Sequence, residues 1–456
     1  MERYVKNTII KSLAITDVNN LGYGIGRAPL SDGAGIVVFV KGAVTEDVAD
    51  VKVIKATPSY LVAVIDRLLV RSRFYSEPSC PSAGKCGGCV YAHIDYDYEK
   101  QLKKRYVQGA FRKAGLSADI SDVISADKDH YRNKAEFPVG PGYTAGFFSA
   151  KSHRIVPLPD AGCMLQKRVI TDILRTVMEY AKSRGVPAYD EEKKTGLLRH
   201  VFIRDGGKRL QQAVAVVVTS SSFAVDYPDF AGYVMERHPG VKSVIMNVND
   251  KTTNVILGRE SIVLAGEAHI TAQMCSLDFK LSLESFFQVN TPAAEMLYAK
   301  ALELAAIEPG DRIADLFCGV GSIGLYMLAN SRAASLTGIE IVPQAVENAR
   351  KNAVLNRLER ALFVCADANA EALNEADVII TDPPRKGCGE SLIRRMTDCG
   401  AKRIVYISCN PDTLARDCRL FEEFGYRYGK VYLFDLFPRT GHVEAVVCLE
   451  KSEVQG

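Results

Sequence analysis

The spacing of apolar and polar positions changes character twice along the chain. Over residues 1–66, short β-branched runs (Gly35 to Val40, Val48 to Ile54, Leu61 to Ile65) alternate with Gly, Asp and Pro breaks, which predicts a small all-β barrel. The early "GYGIG" is followed by no helical pattern, so its glycines are expected in a hairpin and not in a dinucleotide turn. Over 67–285, strand-like runs (Gln212 to Val218, Ser243 to Asn247) mix with helical spacing at Tyr98 to Gly115 and near Lys167 to Arg184, giving a central α+β domain. Over 286–456 the pattern becomes repeated strand-then-helix units: "RIADLFCG", "SLTGIE", "ALFVCAD", "ADVIITDPP" and "RIVYISC". Such repetition predicts a doubly wound α/β, Rossmann-like domain with a mostly parallel sheet.

Length supports this division, because 456 residues exceed one ordinary core at roughly 100 to 200 residues per domain. No run approaches the roughly 18 apolar residues of a membrane span, and "MERYVKNTII" has no long apolar stretch of a leader. A cytoplasmic protein without a membrane partner is expected, with a monomer as the default. In that reducing compartment the twelve cysteines are core residues, ligands or nucleophiles rather than a disulfide framework. A net charge of +3 does not by itself establish a nucleic-acid partner. Charge is concentrated locally: Tyr98 to Gly115 carries six basic residues against one acidic, as either a solvated helix face or a phosphate-contacting one.

Candidate chemistry collects at the carboxyl ends of the C-terminal strands, where open α/β sheets bind ligands. The first ends in "DLFCGVGSIG", whose Gly319 and Gly321 let backbone approach a ligand at a helix N-terminus. Glu340 ends the second strand, placed to accept the hydroxyls of a ribose, and Asp367 ends the third, placed to meet an adenine edge. These acids fit NAD or S-adenosylmethionine. "TDPPRKG" favours the latter, because Asp-Pro-Pro occurs where methyltransferases hold the atom being methylated; Arg385, in place of an aromatic, counts against amino-group chemistry.

The fifth strand delivers Cys409 just past its apolar run, and "GHVE" delivers Glu444 just before another. This thiol and carboxylate suit carbon 5 of uracil: thiolate addition at carbon 6 makes carbon 5 nucleophilic, and a base must then remove its proton before the thiolate leaves. Cytosine-5 methylation also uses a thiolate, and an RNA-binding protein with a vestigial pocket is the non-enzymatic alternative. Separately, Cys80, Cys86 and Cys89 lie in C-x5-C-x2-C spacing within a Gly-rich loop, with Cys163 far downstream. They read as ligands, and spacing alone leaves zinc and a [4Fe-4S] cluster both open.

The motifs "SFFQVN", "DLFCGVG", "DPPR", "SCNP" and "GHVE", in this order, resemble those of the RNA (uracil-5-)methyltransferase family over essentially the whole chain. The resemblance implies Cys409 as nucleophile and Glu444 as proton-abstracting base. It places Gln288, Phe317, Ser322, Glu340, Asp367 and Asp382 where S-adenosylmethionine or the target uracil is contacted; the family often has Asn at the position of Ser322. His442 is expected either to hold the Glu444 loop or simply to pack there. One branch of the family has a [4Fe-4S] cluster in its central domain, which implies that role for Cys80, Cys86, Cys89 and Cys163. The barrel resembles the TRAM module, an RNA-binding OB-like fold. The implied partner is structured RNA, with 23S ribosomal RNA favoured by barrel plus cluster and the transfer-RNA T-loop as the alternative.

Overall fold

The computed structural model describes residues 4–30, 35–370, 373 and 376–452; the first three residues of the start read for a leader therefore lie outside it. Strands Ile9–Val18, Tyr23–Pro29, Gly35–Lys41, Val48–Ala56 and Tyr60–Val70 close into a barrel in which the third strand pairs with the fifth. Alternation builds its core: Val38, Val40, Val51 and Val53 are fully buried, while intervening Lys52 faces solvent. Gly24 and Gly26 lie within the second strand, as the hairpin reading expects.

Helix Tyr96–Lys113 follows the cysteine loop, with Asp95 capping it by accepting hydrogen bonds from the Asp97 and Tyr98 amides. Its basic residues are mostly engaged within the protein. Lys100, Lys104, Arg105 and Lys113 pair with Asp97, Asp122, Asp17 and Asp412, and Lys103 is buried between Glu99 and Asp435. A seven-stranded central sheet comes next, covered on one side by helices Arg168–Ser183 and Phe230–Arg237. Among the described residues no helix is long and apolar enough to cross a membrane.

Among the described residues the C-terminal sheet has nine strands. Ala361–Cys365, Ser335–Glu340, Arg312–Leu316, Val378–Thr381 and Arg403–Ser408 run parallel in that spatial order. Strand order reverses between Arg312–Leu316 and Val378–Thr381, which is the switch point where such sheets open a ligand crevice. Beyond Arg403–Ser408, strand Glu444–Lys451 runs antiparallel, with Ser408 opposite Ala445. The next residues outward are Cys409 and Glu444, so the register brings thiol and carboxylate to one sheet edge. An outer strand, Ile120–Ser125, comes from early in the chain and pairs with Val431–Asp435.

Candidate active site

The first βα turn is shaped by backbone geometry. Phe317, Gly319 and Gly321 all have positive φ (61°, 54° and 81°) between strand Arg312–Leu316 and helix Ser322–Ala329. Apart from Gly319 and its two chain neighbours, no atom of the described residues lies within 4 Å of where a Gly319 Cβ would stand, so the turn opens on space there. Glu340 closes the neighbouring strand end by accepting the Gly319 amide at 3.1 Å and the Val342 amide at 2.8 Å. Beneath the turn, buried Asp315 accepts the Gly324 amide at 2.9 Å. Burial raises its carboxyl to about 8, with Asp382 and Glu340 adding to the shift and the Gly324 amide opposing it. A cluster of carboxylates thus surrounds the switch point, which suits a cationic ligand.

Asp382 follows strand Val378–Thr381 and is raised to about 7 by desolvation. Glu444 is buried and raised to about 8, chiefly by burial and then by Asp382, with Arg385 opposing. The half-buried Cys409 thiol is pushed up by burial, by Glu444 and by Asp382, and is drawn down by the charge of Arg385 and a hydrogen bond from it. Four groups therefore act on one another: a thiol, two carboxyls and a guanidinium. Asn410 fixes the arrangement, because its Nδ2 donates to the Arg385 carbonyl at 2.8 Å and its Oδ1 caps helix Pro411–Glu423 through the Asp412 amide. His442 packs edge-on to Phe437 with ring centroids 5.9 Å apart.

The remaining expected residues are placed less centrally. Asp367 is exposed at its strand end, where the Asn369 amide holds its carboxyl below the usual range. Ser322 opens its helix and shares a 2.9 Å hydrogen bond with the buried Tyr298 hydroxyl. Gln288 lines a second cavity with Arg132, Phe286, Phe437 and the cysteine loop.

Cys80, Cys86, Cys89 and Cys163 line a single cavity together with Arg439. Burial lifts the Cys89 thiol to about 12, with Cys163, Cys86 and Cys80 adding to the shift and Arg439 opposing it. The Gly88 amide donates to Cys86 Sγ at 3.4 Å, and the Leu165 and Gln166 amides lower Cys163 against its burial. Among the described residues, no three His, Cys, Asp or Glu side chains form a ready-made metal group, so the thiols share a cavity without being closed around a centre.

This chain matches the tRNA (uracil-5-)-methyltransferase family model over residues 372–452, the methyltransferase small domain over 292–403 and the TRAM domain over 11–65. It is 35% identical to an RNA methyltransferase of Halalkalibacterium halodurans, covering 98% of this chain and 97% of that one. A Clostridium tetani RNA methyltransferase is 34% identical over 98% and 97%. The chain belongs to the RNA (uracil-5-)methyltransferase family. Among solved structures it is similar to the Pyrococcus abyssi tRNA (uracil-54, C5)-methyltransferase in complex with S-adenosyl-L-homocysteine, with 25% identity, TM-score 0.77 and coverage of 96% and 99%.

As a member of that family the protein is an enzyme, with a TRAM domain ahead of its methyltransferase fold. Sequence reading of this methyltransferase missed three polar groups. Arg385 was legible only as a missing aromatic; its action on Cys409 needs the fold. Asp315 stands in "DLFCG" yet points beneath the turn, and Tyr298 carries no local signal at all.

Proposed function

We propose that this cytoplasmic, monomeric enzyme methylates carbon 5 of a uridine in structured RNA, 23S ribosomal RNA foremost, through a covalent adduct on Cys409. The observation that carries the reading is the sheet register setting Glu444 across from Cys409, with Asp382 and Arg385 acting on both. The uridine must leave its stack for the thiol to approach above the ring. Arg385 stabilises the Cys409 thiolate, which adds to carbon 6 and leaves carbon 5 electron-rich. S-adenosylmethionine supplies the methyl group. Glu444 then takes the carbon 5 proton, the released electron pair restores the ring double bond, and the thiolate departs.

The open turn at Gly319 and the carboxylate cluster fit the donor. Glu340 and Asp367 would hold its ribose and adenine, while Gln288, Phe317, Ser322 and Asp382 border the donor or the uracil. In the cysteine cavity, Cys80, Cys86, Cys89 and Cys163 would hold a [4Fe-4S] cluster. Four thiols with amide donors aimed at two of them fit that group. Methyl transfer to uracil needs no electron, so the site serves structure or RNA positioning.

Similarity to the P. abyssi enzyme over the full chain favours a second target, a transfer-RNA T-loop uridine. Mapping 5-methyluridine in 23S and transfer RNA from cells lacking the protein separates the two. Loss of a 23S position supports the first reading; loss confined to the T-loop overturns it in favour of the second.

A further inference from the structure

Residues 435–443, the stretch leading into Glu444, bury Leu436 and Val443 in the methyltransferase core and accept the Asn290 amide at the Leu436 carbonyl, but several of their polar groups are tied to residues from earlier in the chain. Lys103, with a fully buried side chain, donates to Glu99 Oε1 at 2.7 Å, Asp435 Oδ1 at 2.8 Å and the Phe437 carbonyl at 3.3 Å. The same Glu99 oxygen accepts the Arg439 amide at 2.8 Å, and the Tyr131 hydroxyl donates to the Pro438 carbonyl at 3.1 Å. Arg439 has φ 69° and reaches back to donate to the Ile94 carbonyl at 3.0 Å, while its own carbonyl accepts the Tyr91 amide at 3.1 Å. Its side chain lines the cysteine cavity. Gly441 packs on the barrel so closely that a Cβ there would stand 1.8 Å from the Asn20 carbonyl oxygen.

Burying a lysine between two carboxylates is costly unless geometry is closely satisfied, and removing one partner leaves an uncompensated charge. Here the buried ions converge on residues 435, 437 and 439, five to nine positions ahead of Glu444. The turn after Cys409 is supported differently: Asn410 Nδ2 and the Thr413 hydroxyl both donate to the Arg385 carbonyl. The two chemical groups share one sheet through the Ser408–Ala445 pairing, but the stretch leading into Glu444 and the turn following Cys409 are tied to different partners.

We propose that Lys103 and Arg439 are positioning residues for Glu444, through which the central segment and the cysteine loop set the proton-removal step while leaving Cys409 addition untouched. This rests on the base role of Glu444. Arg439→Ala and Lys103→Met should form adduct on ordinary uridine RNA at close to the wild-type rate and release it roughly tenfold more slowly, so that covalent complex accumulates. Arg439→Lys should recover much of the release rate. Both rates are read by rapid quench and denaturing electrophoresis, beside Glu444→Gln and with melting curves for each variant. If Lys103→Met fails to fold, Arg439→Ala alone decides. Accumulation in Glu444→Gln with formation and release slowed equally, or unchanged, in Arg439→Ala overturns the positioning role. Clean turnover by Glu444→Gln overturns the base reading and this inference with it.

Discussion

At the scale of single residues, the site depends on which group holds a proton. Glu444 is raised to about 8, from an ordinary value near 4.5, by burial and then by Asp382. A raised carboxyl is ionised, and so able to accept the carbon 5 proton, only as pH climbs through that value. Cys409 is pushed in the same direction, so its reactive thiolate also becomes more abundant with rising pH. Single-turnover methylation should therefore increase from pH 6.5 to roughly 8.5. Asp382→Asn removes a negative charge that raises both groups, and it should move the rising limb to lower pH even if the overall rate falls. An unmoved limb would show that Asp382 does not act on this pair. Strand ends and motifs place Asp382, Cys409 and Glu444 at one site along the chain, but the shifts they impose on one another depend on burial and on Arg385, which only the fold supplies.

At the scale of elements, the loop after Asp382 is tied to the helix Pro411–Glu423 through buried Asp417 and Arg416. Buried Asp417 accepts hydrogen bonds from the Tyr406 hydroxyl at 2.7 Å and the Cys388 amide at 2.8 Å, and Arg416 Nε pairs with its other oxygen at 2.8 Å. Gly387 passes this cluster with φ 76°, and a Cβ there would meet Asp417 Oδ2 at 2.5 Å. Gly387→Ala should cost about 1–3 kcal/mol in stability from positive φ and the close contact. Denaturant melts check that cost, and slower adduct formation should accompany it because Arg385 lies in the same loop. The strands and helices themselves were largely legible. Spacing at Tyr98 to Gly115 predicted a helix that the structure places at Tyr96–Lys113, since periodicity reports a buried face well. What that face meets was not legible: Lys103 reads as one more surface charge until Asp435, more than three hundred positions away, folds onto it.

At the scale of the whole molecule, one sheet edge receives residues from distant parts of the chain. Ile120–Ser125 extends the C-terminal sheet from outside the stretch whose repeating pattern announces it, because strand pairing across such separation leaves no local trace. The barrel and the C-terminal units were visible as alternating or repeated patterns, whereas their contact at Asn20 and Gly441 was not. For the cysteine cavity, Cys163→Ser in anaerobically purified protein should lower bound iron and sulfide and reduce RNA affinity more than donor affinity. Retention of four irons and unchanged RNA binding would contradict the assignment. The covalent route through Cys409 can be trapped with RNA bearing 5-fluorouridine at the target, because no proton can leave carbon 5. Wild-type enzyme with S-adenosylmethionine should give a complex that survives denaturing electrophoresis and contains methylated fluorouridine joined to Cys409, and Cys409→Ala should give none. Absence of that complex with wild type, or its persistence in Cys409→Ala, would contradict the mechanism.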